Sequence, residues 1–237
     1  MSHFHDIYDG EAEAYHRLVM AEDFQGELRA ELLKRCDFEG KDAVEAGAGT
    51  GRLTRLLLDA GVRSMVATEP AAAMRQVAAR YLEAFGPRCT ITDGEVEALP
   101  VADGAFDVAV AGWVVGHFTD WYPEDWQTHT DRAMAEFFRV LRPGGTLILV
   151  ESLGTGNTEP RPPTARHADY YQYLQAQHGM AFASIRTDYR FGSVDEAAEV
   201  MGFFFGESFC EQIRQESWSV IPECTGVWSV QKPASVS

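Results

Sequence analysis

Asp42-Ala43-Val44-Glu45-Ala46-Gly47-Ala48-Gly49-Thr50-Gly51-Arg52 is the stretch on which the fold turns. A short apolar run closes on an acid, three glycines follow at alternate positions, and the helical pattern Leu53, Leu56, Leu57 begins at once. A strand therefore turns sharply into a helix through a loop with almost no side chains. Backbone N–H groups and a helix N-terminus can lie directly against a ligand there. The spacing is GxGxG, not the GxGxxG of the dinucleotide fingerprint, and the ligand it implies is a nucleotide-like cofactor.

Outward from this loop, residues 43 to 150 alternate short apolar runs with amphipathic helices. Strands are expected at 43–46, 65–68, 89–92, 106–111 and 146–150, and helices at 52–60, 71–85 and 124–141. A parallel sheet covered on both faces requires this alternation, so the core is expected to be a doubly wound α/β sheet. Pro143, Gly144 and Gly145 stop the last of these helices and allow the reversal into the following strand.

Two segments outside the core read as covers. Residues 4–36 have helical spacing with aromatics at Phe4, Tyr8, Tyr15 and Phe24, an N-terminal helical lid. Residues 154–215 form an insertion with a proline-rich stretch (Pro160, Pro162, Pro163), a tyrosine-rich helix around Tyr170, Tyr171 and Tyr173, and a helix opened by Ser193 and Glu196 in capping-box spacing. Beyond it, the β-like runs 218–221 and 225–230 are expected to form a hairpin-like pair at the sheet edge. One domain is expected over 1–237: lid 1–40, core 41–153, helical insertion 154–215 and closing strands 216–233.

Composition narrows the partners. Acids outnumber bases 36 to 20, a formal charge of −16, whereas a protein gripping a phosphate backbone gains affinity from Lys and Arg; nucleic acid is an unfavoured substrate. Cys36, Cys89, Cys210 and Cys224 lie far apart, with no CxxC pair and no His at ligand spacing, so neither a metal site nor a disulfide framework is signalled. The N-terminal residues lack a leader pattern, and no apolar run approaches the roughly 20 residues that span a bilayer. A cytoplasmic protein with no membrane partner is the expectation.

The glycine loop and three further motifs, over roughly residues 42–151, resemble the class I S-adenosylmethionine-dependent methyltransferases. The resemblance implies a Rossmann-like methyltransferase fold with a mostly parallel seven-stranded sheet, S-adenosylmethionine as cofactor and S-adenosylhomocysteine as product. It places Gly47, Ala48, Gly49 and Gly51 along the methionine and ribose portions of the cofactor, with Glu45 toward the methionyl amine. Glu69, eighteen residues after Gly51 at a strand end, takes the position that accepts from the ribose hydroxyls; Pro70 and Met74 follow, Met74 beside the adenine. Asp93-Gly94-Glu95-Val96-Glu97-Ala98-Leu99-Pro100 resembles the family's Gly-Asp-Ala-Glu-x-Leu-Pro segment, with Glu95 facing the adenine amino group and the Val96 N–H a ring nitrogen. Finally, the run from Phe106 to His117 resembles the strand that enters the transfer site, which sets Ala111 and Trp113 near the sulfonium.

Such a cofactor is already activated, so the protein mainly has to align a nucleophile and exclude water. A base helps where the nucleophile is a hydroxyl or a protonated amine; His117 is the first candidate, with His129 and Tyr15 behind it. Between Arg161 and Arg190 four arginines face only Asp169 and Asp188, which reads as a solvated helix face or as a site for an anionic or aromatic molecule. Phe203-Phe204-Phe205 reads as core or as a subunit contact in a homodimer. The expected function is methyl transfer to a small-molecule substrate. The alternatives are a nicotinamide-dependent oxidoreductase, which the glycine loop and Glu69 alone would also fit, and a non-catalytic S-adenosylmethionine-binding protein.

Overall fold

In the computed structural model, which describes residues 10–234, seven strands form one sheet in the order β3-β2-β1-β4-β5-β9-β6. The strands are β1 (Asp42–Ala46), β2 (Ser64–Thr68), β3 (Cys89–Thr92), β4 (Phe106–Gly112), β5 (Leu141–Thr155), β6 (Ala181–Arg186) and β9 (Glu223–Gln231). The five strands from β3 to β5 run parallel, and β9 is antiparallel to both β5 and β6. The order reverses between β1 and β4, and open α/β sheets bind their ligands in the crevice at that point.

Each face of the sheet carries its own apolar cluster. On one side Leu28 and Leu32 of α2 (Glu27–Arg35), Leu53, Leu57 and Leu58 of α3 (Arg52–Asp59), and Ala78 of α4 (Ala72–Tyr81) pack on Val108, Val110, Ile148 and Val150. On the other, Met134 and Phe137 of α6 (Trp126–Val140) and Tyr170 and Leu174 of α7 (Ala165–Ala176) cover Ala109, Leu147, Leu149 and Trp228. A short helix, α5 (Phe118–Trp121), precedes α6. Most strand residues buried in the sheet are apolar, the composition that a doubly covered sheet demands, and the buried acids Glu45, Glu151 and Glu223 stand out against it.

A third cluster lies outside these layers. Leu18 of α1 (Ala12–Met20) joins Ala197, Val200 and Met201 of α8 (Val194–Phe205), Ile213 of α9 (Glu207–Gln215), Tyr189 and Ile221. Ser193 accepts from the Glu196 N–H at 3.1 Å, and Glu196 reaches back to the Gly192 N–H at 2.8 Å, so the expected cap opens α8. Helix α1 and the later part of the insertion thus form one cap, whereas α2, the rest of the expected lid 4–36, packs on the sheet through Leu28 and Leu32. In the cap the Arg190 N–H donates to the Ala21 carbonyl at 3.0 Å, and Arg17 pairs with Glu196 and Glu199. Phe4 and Tyr8, expected in the lid, lie outside the described residues.

The far edge differs from the expected hairpin. The short strand β8 (Val220–Ile221) pairs with β7 (Tyr189–Arg190), not with β9, and the edge strand beside β9 comes from within the insertion, as β6. Pro222 stands between β8 and β9, and a strand ladder does not continue through a residue without an N–H. The insertion is therefore helical in α7, α8 and α9 but also supplies a strand to the main sheet and one to the cap.

Candidate active site

A cavity of about 540 Å³ opens between the carboxyl ends of the strands and the cap. Its size falls within the roughly 300–1,000 Å³ of small-molecule sites. The glycine loop forms its floor, with Gly47, Gly49 and Gly51 at φ +68°, +55° and +91°. A Cβ on Gly47 would lie 2.3 Å from Val114 Cγ2, whereas one on Gly49 would have nothing nearer than Tyr15 Cε1 at 3.7 Å. The Gly47 position therefore demands glycine on steric as well as conformational grounds.

Two strand-end acids flank the loop, and a third acid lines the cavity from within β5. Glu45, at the end of β1, is buried and accepts from Thr54 Oγ1 at 2.5 Å; burial, with a smaller contribution from Glu69, pushes its carboxyl up to about 7. Glu69, after β2, accepts from the Gly49 N–H at 2.8 Å and the Ala71 N–H at 2.9 Å. Burial still raises its pKa against those two bonds. Glu151, inside β5, accepts from the Gly116 N–H at 2.9 Å and Tyr170 Oη–H at 3.1 Å, and burial pushes it up to about 7. A side chain at Gly116 would meet Glu151 Oε2 at 2.9 Å, so this glycine makes room for the acid.

The expected site residues fall into two groups. Glu45, Gly47, Ala48, Gly49, Trp113, His117 and Tyr15 border the cavity. Trp113 adopts φ +58°, a conformation that side chains rarely take and that clusters at functional sites, and its ring lies 4.3 Å from the Arg52 guanidinium carbon. His117 is half-buried and stacked on Trp121 at 5.0 Å. Desolvation pushes the Tyr15 phenol up to about 12, so it is neutral at physiological pH.

Gly51, Glu69, Pro70, Met74, Glu95, Val96 and Ala111 do not border the cavity. Gly51 starts α3 behind the loop, and Ala111 is interior to β4, paired with Ala46 and Leu149. Met74 is buried under Ala12 and Tyr15 of the cap, while Pro70 is exposed beside it. Glu95 is exposed but close enough to Glu69 to raise its pKa, and Val96 is buried. His129 is bonded to Glu97 at 3.0 Å and stacked on Tyr122, away from the cavity.

The remaining wall combines residues not singled out in the sequence (Glu22, Arg52, His167, Glu223) with Arg161, Phe204 and Phe205, the last two expected as core or a subunit contact and found also on the cavity wall. Glu22 and Arg52 form an ion pair at 2.8 Å, and Glu22 also accepts from Thr187 Oγ1 at 3.0 Å. His167, at the start of α7, has Nδ1 2.8 Å from Thr164 Oγ1, and burial lowers its pKa, leaving a neutral imidazole on the wall. Tyr171, Tyr189 and Glu223 complete that side, and Phe204 and Phe205 line the cavity as well as packing in the cap. Of the four insertion arginines only Arg161 borders it; Arg186 pairs with Asp188, Arg190 lies over Phe24, and Arg166 donates to the Thr119 carbonyl. One available signal was Glu151, an acid at the end of an apolar strand just as Glu45 and Glu69 are. Glu22 and Glu223 had none.

A family model described as a methyltransferase domain matches residues 44–149. An uncharacterized methyltransferase of Bacillus cytotoxicus is 32% identical over 158 residues, 63% of this chain and 68% of that protein. One of Oceanobacillus iheyensis is 31% identical over 155 residues, 63% of this chain and 67% of that protein. The matched segment thus spans about two thirds of the length of these relatives. Among solved structures, phosphoethanolamine N-methyltransferase 2 of Haemonchus contortus, in complex with S-adenosyl-L-methionine, superposes with a TM-score of 0.63 at 13% identity, covering 98% of this chain and 60% of that one. At that identity the likeness is one of fold. Among the described residues no helix is long and apolar enough to cross a membrane.

Proposed function

Since the chain belongs to the class I S-adenosylmethionine-dependent methyltransferases, we propose that it methylates a small-molecule acceptor held between the glycine loop and the cap. The observation that carries this is the cavity itself. It runs from the cofactor loop to Glu151, His167 and Tyr171 and is walled by the cap, so the acceptor must fit a bounded chamber.

The residues present fit the cofactor. For a ligand with an ammonium and ribose hydroxyls the cavity offers a buried acid at Glu45 and a side-chain-free cradle at Gly47 and Gly49, and just behind that cradle, outside the cavity lining, stands a second acid, Glu69, held by loop N–H groups. Glu45 would hold the methionyl ammonium and Glu69 the ribose hydroxyls, with Glu95, Val96 and Met74 at the adenine end and Ala111 and Trp113 at the sulfonium end. When bound, S-adenosylmethionine supplies a methyl group on sulfur that a nucleophile displaces in line.

The protein's own contribution is alignment, dryness and a proton acceptor. Tyr15, Phe204 and Phe205 wall the chamber against water. His117 and His167 both border it, and the neutral His167, oriented by Thr164, suits a base that receives the acceptor's proton.

Labelled S-adenosylmethionine incubated with the purified protein and fractionated cell extract tests the reading. Label is expected in the metabolite fraction. Label confined to nucleic acid or protein would refute a small-molecule acceptor, and cofactor binding without any transfer would support a non-catalytic binder.

A further inference from the structure

Glu223 opens β9 at the carboxyl edge of the sheet; it is 1% exposed and borders the cavity. Its Oε1 accepts from Ser152 Oγ at 2.6 Å. Its Oε2 makes no hydrogen bond of ordinary geometry among the described residues, although the Thr155 hydroxyl lies near enough to favour the charged form. A buried carboxyl oxygen without a donor is costly to keep, and here it stands on the wall of the ligand chamber.

The cations around Glu223 are already committed: Arg186 is paired with Asp188, whose Oδ1 accepts from the Glu223 N–H. Arg52 is paired with Glu22 and lies over Trp113, and the Glu22 charge reinforces the negative field at Glu223. Around the whole cavity five carboxyls (Glu22, Glu45, Asp120, Glu151, Glu223) face two guanidiniums, those of Arg52 and Arg161. Trp113, Tyr171, Tyr189, Phe204 and Phe205 present rings to the same space. Carboxylate and aromatic faces together are the surroundings that an ammonium prefers.

We propose that the methyl acceptor carries a cationic amine, and that this amine docks on the unpartnered oxygen of Glu223 within the aromatic wall. This rests on reading the cavity as the acceptor chamber. The cation at Glu223 is distinct from the cofactor's own ammonium. Glu45 is on β1 and Glu223 on β9, three strand positions apart in the sheet, which at about 4.8 Å per strand is roughly 14 Å. Burial first, then Glu22, pushes the Glu223 carboxyl up to about 8, so an arriving ammonium finds a protonated acid and drives its proton off into solvent. An anionic acceptor would meet the same field with the opposite sign.

The test is calorimetry on the protein saturated with S-adenosylhomocysteine, at pH 7 and in two buffers of different ionisation enthalpy, with 2-phenylethylamine, 2-phenylethanol and phenylacetate as probes. The amine is expected to bind at least about ten-fold tighter than the isosteric alcohol, a difference of about 1.4 kcal/mol, with net proton release and with phenylacetate weakest. In Glu223→Gln the preference should fall to within about three-fold while S-adenosylhomocysteine affinity is retained. No binding of the amine, equal affinity for amine and alcohol, a preference for phenylacetate, or an amine preference that survives in Glu223→Gln would each overturn the proposal. The wild-type preference and its proton release need no variant, so a misfolded substitution leaves the test intact. Failure of S-adenosylhomocysteine to bind would instead strike at the methyl-transfer reading, and the amine preference is then read on the unliganded protein.

Discussion

Replacing Glu69 by alanine deletes the acceptor shared by the Gly49 and Ala71 N–H groups, bonds of 2.8 and 2.9 Å. Each such bond to a charged group is worth about 1.5–3 kcal/mol. The carboxylate pays part of that back as desolvation, which its raised pKa records. Folding stability should therefore fall by only about 1 kcal/mol, because the cost of burying the charge disappears with it. Cofactor binding is affected differently. The proposed ribose bonds vanish and the loop loses its pin, so affinity for S-adenosylhomocysteine should drop by about 2 kcal/mol, roughly 30-fold. Glu69→Gln keeps one acceptor but turns an NH2 toward the second backbone donor, and should lose about 1 kcal/mol, roughly five-fold. Titration calorimetry gives the affinities, and urea unfolding of the same samples gives the stability. An alanine variant whose affinity is unchanged, with the fold intact by circular dichroism, would show that the ribose is held elsewhere. A glutamine variant weaker than the alanine one would refute the acceptor argument itself.

Gly47→Ala should cost about 2–4 kcal/mol, from its positive φ and the 2.3 Å approach to Val114, whereas Gly49→Ala should cost about 1 kcal/mol, since only its backbone conformation resists; equal losses in urea melts would contradict this. Ligand-free stability should fall as pH rises from about 4.5 to 8. The native carboxyls of Glu45 and Glu151 (about 7) and of Glu223 (about 8) then bind protons that the unfolded chain has lost, at about 3 kcal/mol for each of the first two. A denaturation midpoint that climbs over that window would show these acids to be stabilising as charges. Cofactor binding should slow amide exchange along α1 around Tyr15, because the cap packs on both Met74 and the glycine loop. Protection confined to residues 47–51 would mark the segment as a fixed flank and remove Tyr15 from the site.

The strand–glycine–helix unit was legible because each of its signals is local. An apolar run, glycines where φ must be positive and an amphipathic helix at Arg52–Asp59 each depend on a few neighbouring residues. The same holds for the acids that end β1 and β2 and for the Ser193 cap of α8. The edge strand β6 escaped because Ala181–Arg186 is largely exposed, with Phe182 41% accessible, and so lacks the apolar alternation that announces a strand. Its pairing with β9 is set by the ladder of a distant segment, not by its own composition.

The local sequence determined the cofactor cradle: which residues turn, which start the helix and which acids stand at the strand ends. Only the tertiary structure decided what faces that cradle. Glu22 comes from the turn after α1, Arg52 from the first turn of α3, His167 from α7 and Glu223 from the start of β9. They meet because the cap buries Leu18, Tyr189 and Ile221 against α8 and α9, and because the sheet places β9 beside β5. A cofactor loop is a property of one continuous segment and its backbone angles. An acceptor chamber is assembled from side chains far apart in the chain, whose approach is driven by apolar burial that has no signature at the polar residues it brings together.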